Sequence, residues 1–180
     1  MDYYELNLKR RQQIEEGLLE LLRSKPYEKI SVTDIAAHMG MSRKSFYKYF
    51  TGKDDCLVSL FDRVIQEAAL HVVSCLVTHE DATGTWQEYL WFWQSQQLLL
   101  EAVENRRLER TLLQRYLHYA QTEERYSQVV PGLPLNSRDE DALRFYLMGI
   151  LAVVLAWSHR GFTPGVEEMA KKCEKLCNLG

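Results

Sequence analysis

The stretch that decides the fold runs from Met41 to Lys53 and reads Met-Ser-Arg-Lys-Ser-Phe-Tyr-Lys-Tyr-Phe-Thr-Gly-Lys. It carries basic residues and tyrosines but no acid. Phe46 and Phe50 lie four positions apart, so both fall on one face of a short helix while the residues between them point elsewhere. Such a helix suits a DNA groove, because its cations meet phosphates while Arg, Lys, Ser and Tyr reach base edges. We therefore expect a recognition helix here.

The residues ahead of this stretch predict a first helix over 5–24. Ile14, Leu18 and Leu22 recur at helical spacing. The helix should end at Ser24-Lys25-Pro26, because the residue before a proline avoids helical geometry.

A second helix is predicted to begin after Ser31, which is a good N-cap with Asp34 three residues further on. Gly40 then provides a tight turn, since glycine tolerates a positive φ. Ser42 is placed to cap the recognition helix that follows. Two short helices joined by a glycine turn make a helix-turn-helix.

A long fourth helix is predicted from Lys53 to about His79, with no flexible linker inside it. The DNA-reading unit and the rest of the chain would therefore share one stiff element. We divide the chain into a DNA-binding domain, 1–53, and a second helical domain, 54–180, and expect an all-α fold.

Composition is that of an ordinary soluble protein, with 46% apolar and 26% charged residues among 180. The net charge is −3, yet residues 1–55 are net positive and residues 56–180 net negative. A local basic face on a mildly acidic chain favours a specific DNA binder over a general polyanion binder.

Neither the cysteines nor the apolar runs indicate secretion or membrane insertion. The four cysteines form no CxxC pair and the chain starts with polar residues, so we expect free thiols in a cytoplasmic protein. The most apolar run, Phe145 to Trp157, is too short to span a bilayer. Histidines and cysteines lack metal-ligand spacing, and we expect no metal or cofactor.

The second half predicts helices and loops in less detail. We expect a polar loop at 79–85 and an aromatic helix at 86–93. A helix at about 101–124 and a loop at 131–134 follow. Ser137 would cap a helix that is apolar on all sides through Trp157 and hence fully buried. Gly161 would end it, before a last amphipathic helix at 165–176.

Residues 14–61 resemble the N-terminal domain of the tetracycline-repressor (TetR) family of transcriptional regulators. The resemblance lies in Ser31-Val-Thr-Asp-Ile-Ala, Gly40-Met-Ser and Phe46-Tyr-Lys-Tyr-Phe with Lys53. Pro26 departs from it, because the family usually has glycine there. The ending from Trp157 through Gly161 to Ala170 also resembles regulators of dihydroxyacetone-kinase operons.

The resemblance implies which residues meet DNA. Arg43, Lys44, Ser45 and Lys48 would face the major groove, and Tyr47 and Tyr49 would contact phosphates or thymine methyls. Lys53 would hold a phosphate at the start of the fourth helix. Ser31 and Thr33 would touch the DNA backbone, and Ser42 belongs to the same surface. The alternative is a solvated basic helix without a DNA role.

Aromatic residues of the second domain could form a pocket for a flat or apolar small-molecule effector. The candidates are Trp86, Tyr89, Trp93, Tyr116, His118, Tyr119 and Tyr146. For any one of them the alternative is packing in the core. Arg106, Arg107 and Arg110 could bind an anionic effector or form the solvated face of a helix.

The function implied is transcription regulation, most often repression, by a homodimer on pseudo-palindromic double-stranded operator DNA that a small-molecule effector releases. The alternative is a DNA-binding regulator without a small ligand, controlled by a protein partner. An enzyme is disfavoured, because no nucleophile–base pair, paired acids or phosphate loop is present.

Overall fold

The computed structural model describes residues 3–76, 82–105, 107–122 and 139–177, and every regular element within them is helical. The all-α prediction is confirmed. The helices are α1 Tyr3–Ser24, α2 Val32–His38, α3 Arg43–Phe46, α4 Lys53–Leu76, α5 Ala82–Ser95, α6 Gln97–Asn105, α7 Glu109–Thr122, α8 Glu140–His159 and α9 Val166–Cys177, with a 3-10 turn at Tyr27–Lys29.

We call α1 to α3 the head. Its apolar core is fully buried and consists of Ile14, Leu18, Leu22, Ile30, Ile35, Phe46 and Phe50. Gly17 lets α2 approach α1 closely, since a Cβ on it would lie 2.3 Å from the sulfur of Met39. Gly40 has a φ of +60°, as the predicted turn between α2 and α3 requires.

We call α5 to α9 the body, and α4 packs against both parts. In the body, α5 packs on α4 and α9, while α8 packs on α6 and α7. Trp86, Trp93 and Trp157 are the largest side chains in its core. α4 therefore connects residues 42–50, which we call the recognition segment, physically to the body, as predicted.

The single helix predicted at 101–124 is wrong, because α6 ends at Asn105 and α7 begins at Glu109. Arg107 adopts a left-handed φ of 56°, and the N–H of Leu108 donates to the carbonyl of Val103 at 2.9 Å. This pattern closes a helix C-terminus, usually with glycine. Here the burial of Leu108 helps to hold the turn.

The loop predicted at 79–85 is also corrected, because α5 already begins at Ala82. Positions 79–81, the predicted loop at 131–134, Ser137 and Arg106 lie outside the described residues. The described N-cap of α8 is Asp139, whose carboxylate accepts from the N–H of Asp141 at 2.9 Å.

The prediction that α8 is buried on all sides is wrong. Phe145 is 85% exposed and Met148 46% exposed, and Ala152 is exposed on the same side. Leu155 is buried, as expected.

Among the described residues α8 is also the one helix long and apolar enough to cross a membrane by length and composition. Core helices of soluble proteins pass that test too, and the buried side of α8 packs on α6 and α7.

Candidate nucleic-acid interface and effector site

The recognition segment follows the Gly40 turn and begins at a serine cap. Ser42 Oγ accepts the N–H of Ser45 at 3.0 Å and so starts α3, as predicted. Regular α-helix lasts only one turn, to Phe46. Helical hydrogen bonds nevertheless continue to Phe50, whose N–H donates to the Phe46 carbonyl at 3.2 Å. The predicted face therefore exists on a shorter helix than expected.

The two sides of this segment differ in burial. Phe46 and Phe50 are buried with ring centroids 5.7 Å apart. The exposed residues of the segment are Ser42, Arg43, Lys44, Tyr47 and Lys48, while Ser45 and Tyr49 are half-buried. In the described part of the chain, none of its three cations forms an ion pair, so their charges remain available to an anionic partner.

Arg10 extends this surface and was missed by sequence reasoning. It lines an open polar depression of about 390 Å³ together with Gly40, Met41, Ser42, Ser45, Lys48 and Tyr49. The basic run Lys9-Arg10-Arg11 could have indicated that α1 contributes to this surface. Only the packing of α1 shows that Arg10 lies beside Lys48 in this depression.

Arg11 was also missed, and it holds the end of the recognition segment. Its guanidinium donates to the backbone oxygen of Tyr49 and lies 4.2 Å from the centroid of the Phe50 ring. It also donates to Ser59 Oγ of α4 at 3.1 Å. One side chain of α1 thus joins the recognition segment to the connecting helix.

The hydrogen bonds continue along α4. Glu15, only 2% exposed, accepts from Ser59 Oγ and from Arg63 Nε, both at 2.7 Å. On the side of α4 that faces α7, Arg115 of α7 pairs with Asp62 at 2.5 and 2.9 Å. We call these contacts, with the 2.7 Å bond from Gln66 to the Tyr119 hydroxyl, the α4 network.

Ser31 and Thr33, the DNA contacts predicted at the start of α2, lie on the surface, but the Ser31 hydroxyl already forms hydrogen bonds within the protein. Ser31 forms a capping box, accepting from Asp34 N–H at 3.2 Å and donating to its carboxylate at 2.6 Å. The nearby Lys25 ammonium and Ser31 hold the pKa of Asp34 well below its usual range. Thr33 is exposed. Backbone contact by Ser31 and Thr33 stays a prediction.

Lys53 is the first residue of α4, and its ammonium turns towards the head. Nζ donates to the Tyr27 carbonyl at 2.8 Å and lies 4.4 Å from the centroid of the Tyr27 ring. An ammonium has three donors, so these contacts leave capacity for a phosphate. That role stays a prediction.

The aromatic candidates divide between two spaces in the body. The first has a volume of only about 10 Å³ and is lined by Tyr89, Trp93, Leu113, Tyr116, Leu147, Ile150, Leu151 and Val154. Burial raises the pKa of both Tyr89 and Tyr116, so their hydroxyls remain protonated. The polar atoms of Tyr89, Trp93 and Tyr116 are buried and close enough to interact with one another.

The second space is an open apolar groove of about 440 Å³ between α8 and α9. Its lining comprises Trp86, Phe145, Tyr146, Gly149, Ile150, Val153, Val154, Cys173, Leu176 and Cys177. Ile150 and Val154 belong to both linings, so the two spaces are neighbours along α8. His118 and Tyr119 lie outside both, since His118 is exposed and Tyr119 belongs to the α4 network.

The remaining predictions concern the cysteines, two arginines and metal binding. Cys56, Cys173 and Cys177 are free thiols, while the side chain of Cys75 lies outside the described residues. Arg107 and Arg110 are exposed. Within the described ranges, no group of three His, Cys, Asp or Glu side chains could hold a metal ion.

Comparison with known proteins follows the same division into head and body. The family model described as "Bacterial regulatory proteins, tetR family" matches residues 14–60. The HTH-type transcriptional regulator EthR of Mycobacterium tuberculosis (strain ATCC 25618 / H37Rv) is 37% identical over 71 residues, which cover 39% of this chain and 32% of EthR. The chain thus spans about a third of the curated relatives it matches.

Solved structures extend the likeness to the whole fold. The fatty acid degradation regulator FadR from Bacillus halodurans superposes with a TM-score of 0.63 at 20% identity, covering 94% of this chain and 95% of FadR. The dihydroxyacetone kinase operon activator DhaS superposes with a TM-score of 0.57 at 17% identity over 93% of each chain. FadR matches the fold at least as well as DhaS, so membership of the DhaS subgroup stays a prediction. Residues 14–60 thus match the tetR family of bacterial regulatory proteins, and the helical fold of the whole chain is similar to that of solved regulators.

Proposed function

We propose that the protein is a cytoplasmic transcriptional regulator that binds a pseudo-palindromic operator as a homodimer. Regulators of the tetR family are typically repressors, and we propose repression for this protein too. The observation that carries this proposal is the exposed, acid-free face of Arg43, Lys44, Tyr47 and Lys48 on a capped helix directly after a glycine turn. Such a face matches the negative potential and the acceptor-rich edges of the DNA major groove.

The head would place α3 in the major groove and use its flanks on the phosphates. Arg43 and Lys44 at the start of α3 are suited to bases, because recognition helices read base edges with their N-terminal residues. Lys48 and Arg10, which border the same polar depression, are suited to the backbone on one side. Lys53 would contribute on the other side.

A second copy of the chain is the proposed cover for the exposed side of α8. Phe145, Met148 and Ala152 recur there at helical spacing, and Leu176 of α9 is 56% exposed beside the groove. Gly149 would let another helix approach, since a Cβ on it would meet no atom within 4 Å. An apolar face of this kind supports a self-complementary two-fold interface.

Effector release would act through α4. The body holds α4 through Arg115 and Tyr119 of α7, and the head holds it through Arg11 and Glu15 of α1. A ligand that shifts α7 would therefore rotate α4 and, with it, the support of the Tyr49 carbonyl. In a dimer this changes the separation of the two recognition helices, which must match about 34–36 Å for one turn of B-DNA.

Selection of bound duplexes from a random DNA pool tests the DNA-binding proposal. We expect the recovered sites to share an inverted repeat, because a two-fold protein reads a two-fold site. A triple variant, Arg43→Ala with Lys44→Ala and Lys48→Ala, should recover no common site. If the wild-type protein also enriches no sequence over the input pool, the proposal is wrong.

The alternative, a regulator without a small ligand that a protein partner controls, is supported by the filled aromatic core. Only about 10 Å³ remains between Tyr89, Trp93 and Tyr116, which is the space of roughly one water molecule. A distance measurement between the two heads of the dimer distinguishes the two candidates. If no small molecule changes that distance or releases DNA, the partner-controlled regulator is the better description.

A further inference from the structure

The first turn of α4 combines one cation with two acids. Lys53, which we propose for a phosphate contact, is followed directly by Asp54 and Asp55. A carboxylate repels a nearby phosphate, so two freely exposed acids at this place would oppose DNA binding. Each of the two carboxylates is instead bound by a hydroxyl of the protein. The charge that this turn presents to DNA therefore depends on those hydrogen bonds.

The two acids are held in different ways. Asp55 is held locally, because its carboxylate accepts the N–H and the hydroxyl of Thr51 at 2.7 and 3.1 Å. Asp54 accepts the hydroxyl of Tyr27, a residue of the 3-10 turn between α1 and α2. Burial, followed by the bond to Asp54, raises the pKa of the Tyr27 hydroxyl well above its usual value, so the hydroxyl stays protonated and remains a donor.

Tyr27 is itself fixed to the head by the turn in which it lies. Pro26 precedes it with a φ of −56°, and the N–H of Lys29 donates to the Pro26 carbonyl at 2.9 Å. The N–H of Ile30 donates to the Tyr27 carbonyl at 3.1 Å. Because Ile30 is buried in the core of the head, the turn has a firm support on that side.

The same tyrosine also holds the cation. Its carbonyl accepts from Lys53 Nζ at 2.8 Å, and its ring centroid lies 4.4 Å from that nitrogen, at a distance where ring faces attract cations. The Glu28 carbonyl lies 3.5 Å from Nζ. Tyr27 thus binds Lys53 through its carbonyl and ring and Asp54 through its hydroxyl. Among the described residues these two opposite charges form no ion pair with each other.

We propose that Tyr27 is a positioning residue for phosphate recognition, which fixes the Lys53 ammonium in place and keeps the Asp54 carboxylate bonded within the protein. This inference deepens the proposed function, because it rests on the head binding DNA with the help of Lys53. Tyr27 acts through its two neighbours and contacts no base. Its effect should therefore be the same for all DNA sequences, as for other backbone contacts.

Tyr27→Phe tests the role of the hydroxyl, because it keeps the ring and the carbonyl. The released carboxylate of Asp54 should weaken binding of a random-sequence duplex by about three- to tenfold, the order of one net hydrogen bond. The difference should shrink between about 50 and 200 mM salt, because salt screens exposed charges. Fluorescence anisotropy titration of a labelled duplex measures it.

The same substitution in an Asp54→Asn background separates this role from a structural one. With the charge of Asp54 removed, Tyr27→Phe should change duplex binding by less than about twofold, because the two residues act as one unit. A purely structural role of the hydroxyl would weaken binding equally in both backgrounds. Glu28→Gln is the matched control, because it removes an exposed acid of the same turn that the hydroxyl does not bind. In that background Tyr27→Phe should keep its full effect.

Tyr27→Leu tests the role of the ring. It should weaken duplex binding more than Tyr27→Phe does, because the cation loses its contact with the ring face. In a Lys53→Ala background the two substitutions should be equal. Circular dichroism confirms that each variant is folded.

The outcomes distinguish this inference from the proposed function. Unchanged duplex binding by Tyr27→Phe, or the same weakening with and without Asp54→Asn, overturns the inference and leaves DNA binding intact. A wild-type protein that does not bind the duplex even at about 50 mM salt, where phosphate contacts are strong, removes the proposed function and this role of Tyr27 with it.

Discussion

The head and the body differ in how completely their own helices cover their apolar side chains. In the head, apolar side chains fill one core, each short helix has its cap, and the exposed cations project from a finished scaffold. The body fills its core with aromatic rings but exposes Phe145 on a long apolar helix. The head therefore meets its partner with charge, whereas the body requires further apolar contacts to be complete.

The largest effect is expected from Phe145→Asp, which tests whether the body is completed by a second copy. A charge in the centre of an apolar interface loses its hydration, and a central aromatic anchor contributes about 2–4 kcal/mol. The dissociation constant of the dimer should therefore rise about 100-fold or more. Analytical ultracentrifugation measures it.

Leu70→Asp is the matched control for this substitution, because Leu70 is 67% exposed on α4, away from α8 and α9. It should leave the dimer intact. If Phe145→Asp associates like the wild type, or if both variants dissociate alike, the exposed side of α8 is not the interface.

Glu15→Ala tests whether the buried hydrogen bonds between α1 and α4 stabilise the protein. The substitution leaves Arg63 and Ser59 without their buried acceptor. Because Arg63 is partly exposed and keeps its ion pair with Glu67, we expect a loss of about 2–3 kcal/mol of unfolding free energy, at or below the lower end of the ~3–5 kcal/mol for a broken buried pair. Urea denaturation measures the change, with the exposed neighbour Glu16→Ala as control. A loss below that of the control would contradict this role.

Arg43→Ala tests how the head reads DNA. Loss of a base-contacting arginine should weaken operator binding by about 1–3 kcal/mol and relax preference at one position of each half-site. Binding to unrelated DNA should change much less. Repeating the pool selection with the variant measures this, and recovery of the unaltered consensus would place Arg43 outside the base contacts.

The smallest effect is expected from Lys53→Ala. Loss of one phosphate contact should weaken binding to all sequences alike and lower the salt dependence of binding by about one. Lys171→Ala, which removes an exposed cation from α9, controls for net charge. Equal salt slopes for Lys53→Ala and the wild type would show that Lys53 acts only within the protein, through its contacts with Tyr27.

Local sequence rules were enough for the head, because its determinants are short-range. The Ser31 and Ser42 caps and the Gly40 turn depend on residues within four positions of one another. Arg10 and Arg11 could not be assigned from local rules, because the surface that Arg10 shares with Lys48 and the bond of Arg11 to Tyr49 span almost forty residues, and only helix packing brings them together.

In the body the same rules failed where burial depends on partners outside the helix. Periodicity showed that α8 is apolar all round, but not that neighbours cover only one side and leave Phe145 exposed. The break between α6 and α7 was missed because Arg107, rather than a glycine, adopts the left-handed conformation. The aromatic cluster was found by composition, yet its division into two spaces follows from packing alone.

The α4 network has a thermodynamic consequence that applies in both directions. Because one helix is bonded to α1 through Ser59 and Arg63 and to α7 through Asp62, its position is a variable common to both ends of the protein. If an effector lowers operator affinity by a given factor through that variable, linkage requires operator DNA to lower effector affinity by the same factor. A promoter region crowded with operators would then reduce the sensitivity of the protein to its own signal.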